Sequence, residues 1–240
     1  MEVSAADGCV TARLKFADAK AKLSPAMGER LLELFEEVED DQSARMLAVT
    51  GTGRAFCLGF EAGVDSRLVE SFAVISKPTV AIINGDAIDE GLEFAMAADV
   101  RVAIRSARFA LTQLGRNSLP RFGGTQRLAR LAGVSTALRM LLAGVAVDGV
   151  EAARTGLVTY LADDAGKLAE ASGKVAQAIL SRGPVAVRLA KDAVLKGYDM
   201  TLDQGIRLEE DLYALLQTTT DRAEGVRAFL ERRKPLFRGA

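Results

Sequence analysis

The sequence predicts an α/β protein whose first half alternates strands with helices and whose second half is a run of helices. Three observations carry this. Short apolar runs of strand length recur as far as Leu111, two of them closed by Gly51 and by Asn84-Gly85. From Thr125 onward most segments place apolar residues at helical spacing. No internal repeat or low-complexity linker divides the chain, so the helical half reads as an appendage to one α/β core.

The elements follow in order. Cys9 to Phe16 sets Val10, Ala12, Leu14 and Phe16 on one side, the period of a half-buried strand. Ser24-Pro25 supplies an N-cap and a first-turn proline. Met27, Leu31, Leu34, Phe35 and Val38 then recur at helical spacing, with Glu33, Glu36, Glu37 and Glu39 elsewhere. Met46 to Thr50 is a buried strand, and GTGRAFCLGF follows it as a loop. Ser66 to Ile75 is a helix, Pro78 to Ile83 a second buried strand, and Gly91 to Ala98 a helix. Val100 to Ile104 and Phe109 to Leu111 are strands. Helices are expected at Leu128/Leu131, Leu138/Leu141/Leu142, Val150 to Arg154, Leu168 to Leu180, Val185 to Leu195 and Leu202 to Leu216, with Val158 to Leu161 as a lone strand-like piece.

Composition removes several function classes. Formal net charge is −1 over 240 residues, so nothing offsets a phosphate backbone and nucleic acid is not an expected partner. The start, MEVSAADG, has no charged segment followed by an apolar one, and no signal peptide is expected. No apolar run approaches the roughly 18 residues of a spanning helix, so no membrane is expected. Cys9 and Cys57 have no motif spacing, and a reduced, cytoplasmic setting follows as the expectation. The chain contains no histidine. Ser-His and Cys-His nucleophiles and imidazole metal sites are therefore absent, and no metal is expected. Proton transfer is left to carboxylates, Lys, Tyr, Cys or water.

Two glycine-punctuated strand ends stand out. One runs from strand 46–50 into Arg54-Ala55-Phe56-Cys57-Leu58-Gly59-Phe60, the other from strand 78–83 through Asn84-Gly85 to a helix opening near Gly91. Ligands bind outside the carboxyl ends of strands in open α/β sheets, and backbone N–H groups there converge on an oxyanion. Glycines in such places also serve as plain turn residues. GTGRAF is not a dinucleotide fingerprint, because Phe56 takes the third glycine position.

These stretches resemble the crotonase (enoyl-CoA hydratase/isomerase) family. Met46 to Gly51 with Gly53 to Phe60 is similar to the stretch ending its second strand, and Lys77 to Gly85 with Gly91 to Asp99 to its second signature. Phe122 to Leu128, Ala152 to Val158 and the C-terminal Asp221 to Phe237 are similar to three more motifs, all in the family's order. The resemblance implies a crotonase-type spiral of ββα units over residues 1–185 and a C-terminal helical trimerisation region over 186–240. It implies a homo-oligomer, a trimer or dimer of trimers, acting on an acyl-CoA substrate, with no cofactor beyond the coenzyme A moiety. Backbone N–H groups of Phe60 and Glu90 would form the oxyanion hole. Arg54, Ala55, Cys57, Leu58, Lys234 and Phe237 would bind coenzyme A.

The sequence departs from the family in three places. Ile88-Asp89-Glu90-Gly91 replaces a glycine-rich turn, putting two carboxylates at the hole; the steric cost depends on which residue needs positive φ. Of the family's two glutamates Glu93 matches the first, while the second falls at Gln113, whose amide orients water but does not trade a proton. The segment Gly63 to Ser76, which walls the acyl pocket in the family, is short. Arg116 and Arg121 lie near the second signature, as pocket groups or as solvated charges. The expected function is thus an enoyl-CoA hydratase-like lyase with Glu93 as acid/base, Gln113 as the orienting group and Asp89 as a possible auxiliary acid or base. Divergent hydrolase, decarboxylase or isomerase chemistry, a non-catalytic CoA-thioester-binding accessory protein, and a nucleotide-binding α/β protein are the alternatives.

Overall fold

The structure, a computed structural model, describes residues 1–239. It divides into two compact units. The first comprises Met1–Ile75 and Thr79–Val175. Its elements run β1 (Glu2–Ala6), β2 (Cys9–Arg13), α1 (Pro25–Asp40), β3 (Met46–Thr50), β4 (Ala55–Cys57), α2 (Leu68–Ala73), β5 (Thr79–Ile83), β6 (Asp86–Ile88), α3 (Glu90–Met96), β7 (Val100–Ile104) and β8 (Arg108–Ala110). A 3-10 turn at Gln113–Arg116 follows, then α4 (Gly124–Ala132), α5 (Val134–Leu142), β9 (Val147–Asp148), α6 (Gly149–Thr155) and β10 (Tyr160–Ala162). Helix α7 (Ala165–Leu180) carries the chain into the second unit.

From β3 to β8 the strands alternate between two sheets. One has the order β1-β2-β3-β5-β7-β10, the other β4-β6-β8-β9. Pairing is parallel except for β1 with β2 and β8 with β9. The pairs β3/β4, β5/β6 and β7/β8 each lay one strand in the large sheet and the next in the small one before a helix follows, a ββα spiral. β3 is buried at every position, as a central parallel strand covered on both faces must be. α1 starts as its sequence dictates. Ser24 Oγ accepts from Met27 N (3.3 Å), Pro25 opens the first turn, and Leu31, Leu34, Phe35 and Val38 are buried.

Asn84 ties the two strand ends together. Its Oδ1 accepts from Gly51 N (2.9 Å), while its Nδ2 donates to Gly53 O and Ala55 O (3.1 Å each). The approach at the start of α3 is closer still, since a Cβ on Gly91 would lie 2.0 Å from Cys57 O. Only glycine lets α3 begin against β4.

Some elements differ from the sequence reading. β4 lies inside the expected loop, and β1, β6 and β9 were not anticipated. β2 stops at Arg13 because its partner β3 ends at Thr50; Leu14 N still reaches Thr50 O (2.8 Å), but Phe16 is beyond the ladder.

The second unit holds Ser76–Pro78 and the chain from Ala176 on. It contains α8 (Pro184–Gly197), α9 (Leu202–Gln217) and α10 (Thr220–Leu230). Thr201 and Gln204 form a capping box on α9. Lys191 Nζ donates to Lys77 O (3.0 Å), and buried Asp221 accepts from Arg238 N (2.7 Å) and Gly239 N (2.8 Å). α8 and α9 bury no side chain in the single chain.

Candidate active site

The site is assembled at the head of α3. Asp89 precedes the helix with φ 50° and ψ −123°, so positive φ falls on Asp89 rather than Glu90. A non-glycine residue there costs about 1–3 kcal/mol. Glu90 is the first helical residue, and its N–H, like every first-turn N–H, has no acceptor within the helix. Its carboxylate turns inward. Oε2 accepts from Phe60 N at 3.4 Å and crowds Gly59, where an added Cβ would stand 3.0 Å from it. That is a long, weak hydrogen bond, and it occupies the donor that the family resemblance would give to an oxyanion.

Glu93 lies three residues on, on the same helical face as Glu90. It is fully buried. Oε1 accepts from Phe122 N and Gly124 N, 2.8 Å each, and Oε2 accepts from Gln113 Nε2 at 3.3 Å. A Cβ on Gly124 would come within 2.9 Å of Glu93 Oε1, so glycine is required where the donor approaches. Burial pushes the Glu93 carboxyl above the usual range, the Glu90 charge pushes the same way, and N–H groups of Gly124, Phe122 and Arg121 pull it down. Burial wins and the net direction is upward. Gln113 is buried too, and its Oε1 accepts no hydrogen bond from the described residues.

Aromatic rings supply the dry surroundings. Phe60 meets Phe122 edge-on with centroids 5.3 Å apart, and Phe94 stands 4.8 Å from Phe72 and 6.4 Å from Phe60. Arg121 lies over the Phe122 ring at 4.8 Å. Arg116 pairs with Asp89, Nη2 to Oδ2 at 2.8 Å. Asp89 is therefore held by neighbours: Oδ1 also accepts from Thr112 N at 2.6 Å.

The expected coenzyme-binding residues separate into three groups. Arg54, Ala55 and Leu58 line a cavity of about 410 Å³ with Phe16, Thr52, Asp18 and Asp86. Cys57 faces the interior instead, where its Sγ donates to Gly59 O (3.3 Å) and burial pushes its thiol up to about 12. Lys234 and Phe237 belong to the second unit, the Phe237 ring lying 3.6 Å from a Cβ placed on Gly183 or Gly225. No cluster of three or more His, Cys, Asp or Glu placed to hold a metal occurs among the described residues. No helix among them is long and apolar enough to cross a membrane. Sequence reasoning quoted Phe122 and Gly124 without assigning them a role; the glycine pair opening α4 was the available signal. Thr112 was missed outright.

A spiral of ββα units carrying a caged, buried glutamate defines a crotonase-fold protein. A family model described as enoyl-CoA hydratase/isomerase matches residues 7–240. The chain belongs to the enoyl-CoA hydratase/isomerase family. It is 36% identical to the (E)-benzylidenesuccinyl-CoA hydratase of Thauera aromatica, covering 93% of each chain. It is 34% identical to the crotonyl-CoA hydratase of Syntrophomonas wolfei, covering 87% of each. Among solved structures, an enoyl-CoA hydratase from Bacillus anthracis superposes with a TM-score of 0.95 at 32% identity, over 100% of this chain and 99% of that one.

The raised Glu93 carboxyl has a consequence for stability. In the unfolded chain it ionises in the ordinary range; in the folded chain the proton is held to higher pH. Its favourable contribution is complete below the unfolded value and is lost as pH rises through the folded one. Glu93→Gln removes this dependence. Its melting temperature relative to wild type rises between pH 4 and pH 8 in parallel thermal scans, whereas a difference that does not change with pH contradicts the upward shift.

Proposed function

We propose that this protein is an acyl-CoA thioester enzyme of the enoyl-CoA hydratase type, working with one titrating carboxylate. The observation that carries this reading is the Glu93 cage: a fully buried carboxylate fixed at Oε1 by two amides, its other oxygen beside Gln113. The named activities of the Thauera and Syntrophomonas relatives support the substrate class.

In this reading the thioester oxygen sits between the N–H groups of Phe60 and Glu90, after the Glu90 carboxylate yields its weak bond to Phe60. Glu93 Oε2 takes a proton from water while Gln113 Oε1, an acceptor without a donor, holds the water's other hydrogen. The water oxygen bonds to the β-carbon, the C=C electron pair moves to give the enolate, and two N–H groups stabilise its oxygen. Glu93 returns the same proton to the α-carbon. The proton count closes without a second carboxylate, so Gln113 needs to orient and not to titrate. The 410 Å³ cavity beside Arg54 receives the nucleotide end of coenzyme A, with no other cofactor. The cytoplasmic placement rests on two free cysteines. The inward Glu90 carboxylate favours a second reading, a CoA-thioester-binding protein without turnover.

Incubation with a panel of enoyl-CoA thioesters in deuterated water tests the chemistry. Turnover or α-carbon exchange is expected, with Glu93→Gln lowering it about 10²–10⁴-fold and Gln113→Glu raising hydration. Binding without exchange sinks the enzymatic reading and leaves the second.

The reading includes a homo-oligomer, a trimer or dimer of trimers. Val194, Tyr198, Leu202, Ile206 and Tyr213 are exposed on or beside helices that bury nothing in the single chain, and clustered exposed apolar side chains mark interaction surfaces. Light scattering is expected to return three or six times the 25.5 kDa chain mass; a monomer contradicts it.

A further inference from the structure

We propose that Asp89 is a positioning residue, whose carboxylate latches the 112–116 turn to the head of α3 and so holds the Gln113 amide against Glu93. The kinetic part of this inference rests on the acyl-CoA reading above; the geometry does not.

The backbone alone gives no reason for aspartate here. The turn demands φ 50° and ψ −123°, which glycine adopts without strain. The Asp89 side chain makes no helix-capping bond. It is buried, at 5% exposure, and both its oxygens are spent on one short segment. Oδ1 accepts from Thr112 N (2.6 Å) and Thr112 Oγ1 (3.0 Å); Oδ2 is 3.0 Å from Thr112 Oγ1 and accepts from Arg116 Nη2 (2.8 Å). Arg116 Nη1 closes the loop on Thr112 Oγ1 (3.1 Å).

Thr112 is the residue before the 3-10 turn Gln113–Arg116, so Asp89 grips both ends of the segment that presents Gln113. The main chain already ties Asp89 N to Ala110 O (2.9 Å); the carboxylate extends that grip past β8 into the turn. Arg116 is largely exposed, and its ion pair alone contributes little. The short, charge-assisted bond to the Thr112 amide is the stronger link. Only an ionised carboxylate accepts from an amide, a hydroxyl and a guanidinium together: asparagine turns one acceptor into a donor, and glycine offers none. Glu93, at the end of this chain, is otherwise faced by the Glu90 carboxylate and by the amides of Arg121, Phe122 and Gly124, none of which bonds to Asp89.

The test is a double-mutant cycle of Asp89→Gly and Gln113→Ala, since glycine keeps the turn and deletes the latch. Asp89→Gly is expected to lower kcat about tenfold with KM within twofold, and to change kcat less than twofold in the Gln113→Ala background. Unchanged kcat, or a loss that multiplies in full with Gln113→Ala, overturns the proposal. Carboxyl carbon NMR of Glu93 gives a readout free of turnover. Loss of the Gln113 N–H removes a bond to the charged form, so the Glu93 midpoint rises in Gln113→Ala and by the same amount in Asp89→Gly. A midpoint that moves only in Gln113→Ala overturns the latch. Matching shifts in a protein that neither binds nor turns over CoA thioesters overturn only the functional reading. If Asp89→Gly fails to fold, Asp89→Asn and Thr112→Val take its place with the same readouts.

Discussion

The molecule turns on one interaction, the hold of the Phe122 and Gly124 amides on Glu93 Oε1. An isolated buried carboxylate is costly, and two charge-assisted bonds of 2.8 Å recover part of that cost. They do not recover all of it, so the proton is held more tightly than in water. The same contact dictates glycine at 124, because no side chain fits beside Oε1. It sets the position of α4 against α3, and it leaves Oε2 as the one oxygen directed at Gln113. In the proposed chemistry Glu93 gives and takes a proton, and the balance between burial and amide donors sets how tightly that proton is held.

The fold delivers that group by joining two sheets at the head of α3. Asn84 binds the two strand ends, and Gly91 lets the helix start against Cys57. The result brings Phe60 N–H to the first turn of α3, where unpaired amides gather. Glu90 complicates the arrangement. Its carboxylate lies on Phe60 N–H, where a glycine would leave the donor open. In the proposed reading a thioester competes there with an internal anion, and at 3.4 Å that competitor is weakly held. Asp89, its neighbour, carries the backbone strain and is offset by three donors from the following turn.

How much of this was legible depends on where the information is stored. β3, β5 and β7 are five-residue, mostly apolar segments, long enough to show as strands. β4, β6 and β9 have two or three residues, too few for any period to register, yet they form most of the second sheet. Glu93 and Gln113 are 20 residues apart in sequence, and only the order of motifs put them together; the structure places them 3.3 Å apart. The Glu93 cage is made of backbone amides, which leave no side-chain trace beyond the glycines that make room for them. The Asp89-Glu90 turn stood out as a departure from the family, but the residue taking positive φ depends on where α3 begins. It begins at Glu90, so the strain falls one residue earlier.

The most direct measurement of the central claim is a crystal structure with an acyl-CoA thioester analogue that does not turn over. The thioester oxygen is expected between the N–H groups of Phe60 and Glu90, with the Glu90 carboxylate displaced and Glu93 Oε2 facing the α- and β-carbons, its amide cage intact. A thioester bound elsewhere, with the Glu90 carboxylate still on Phe60 N–H, contradicts the claim.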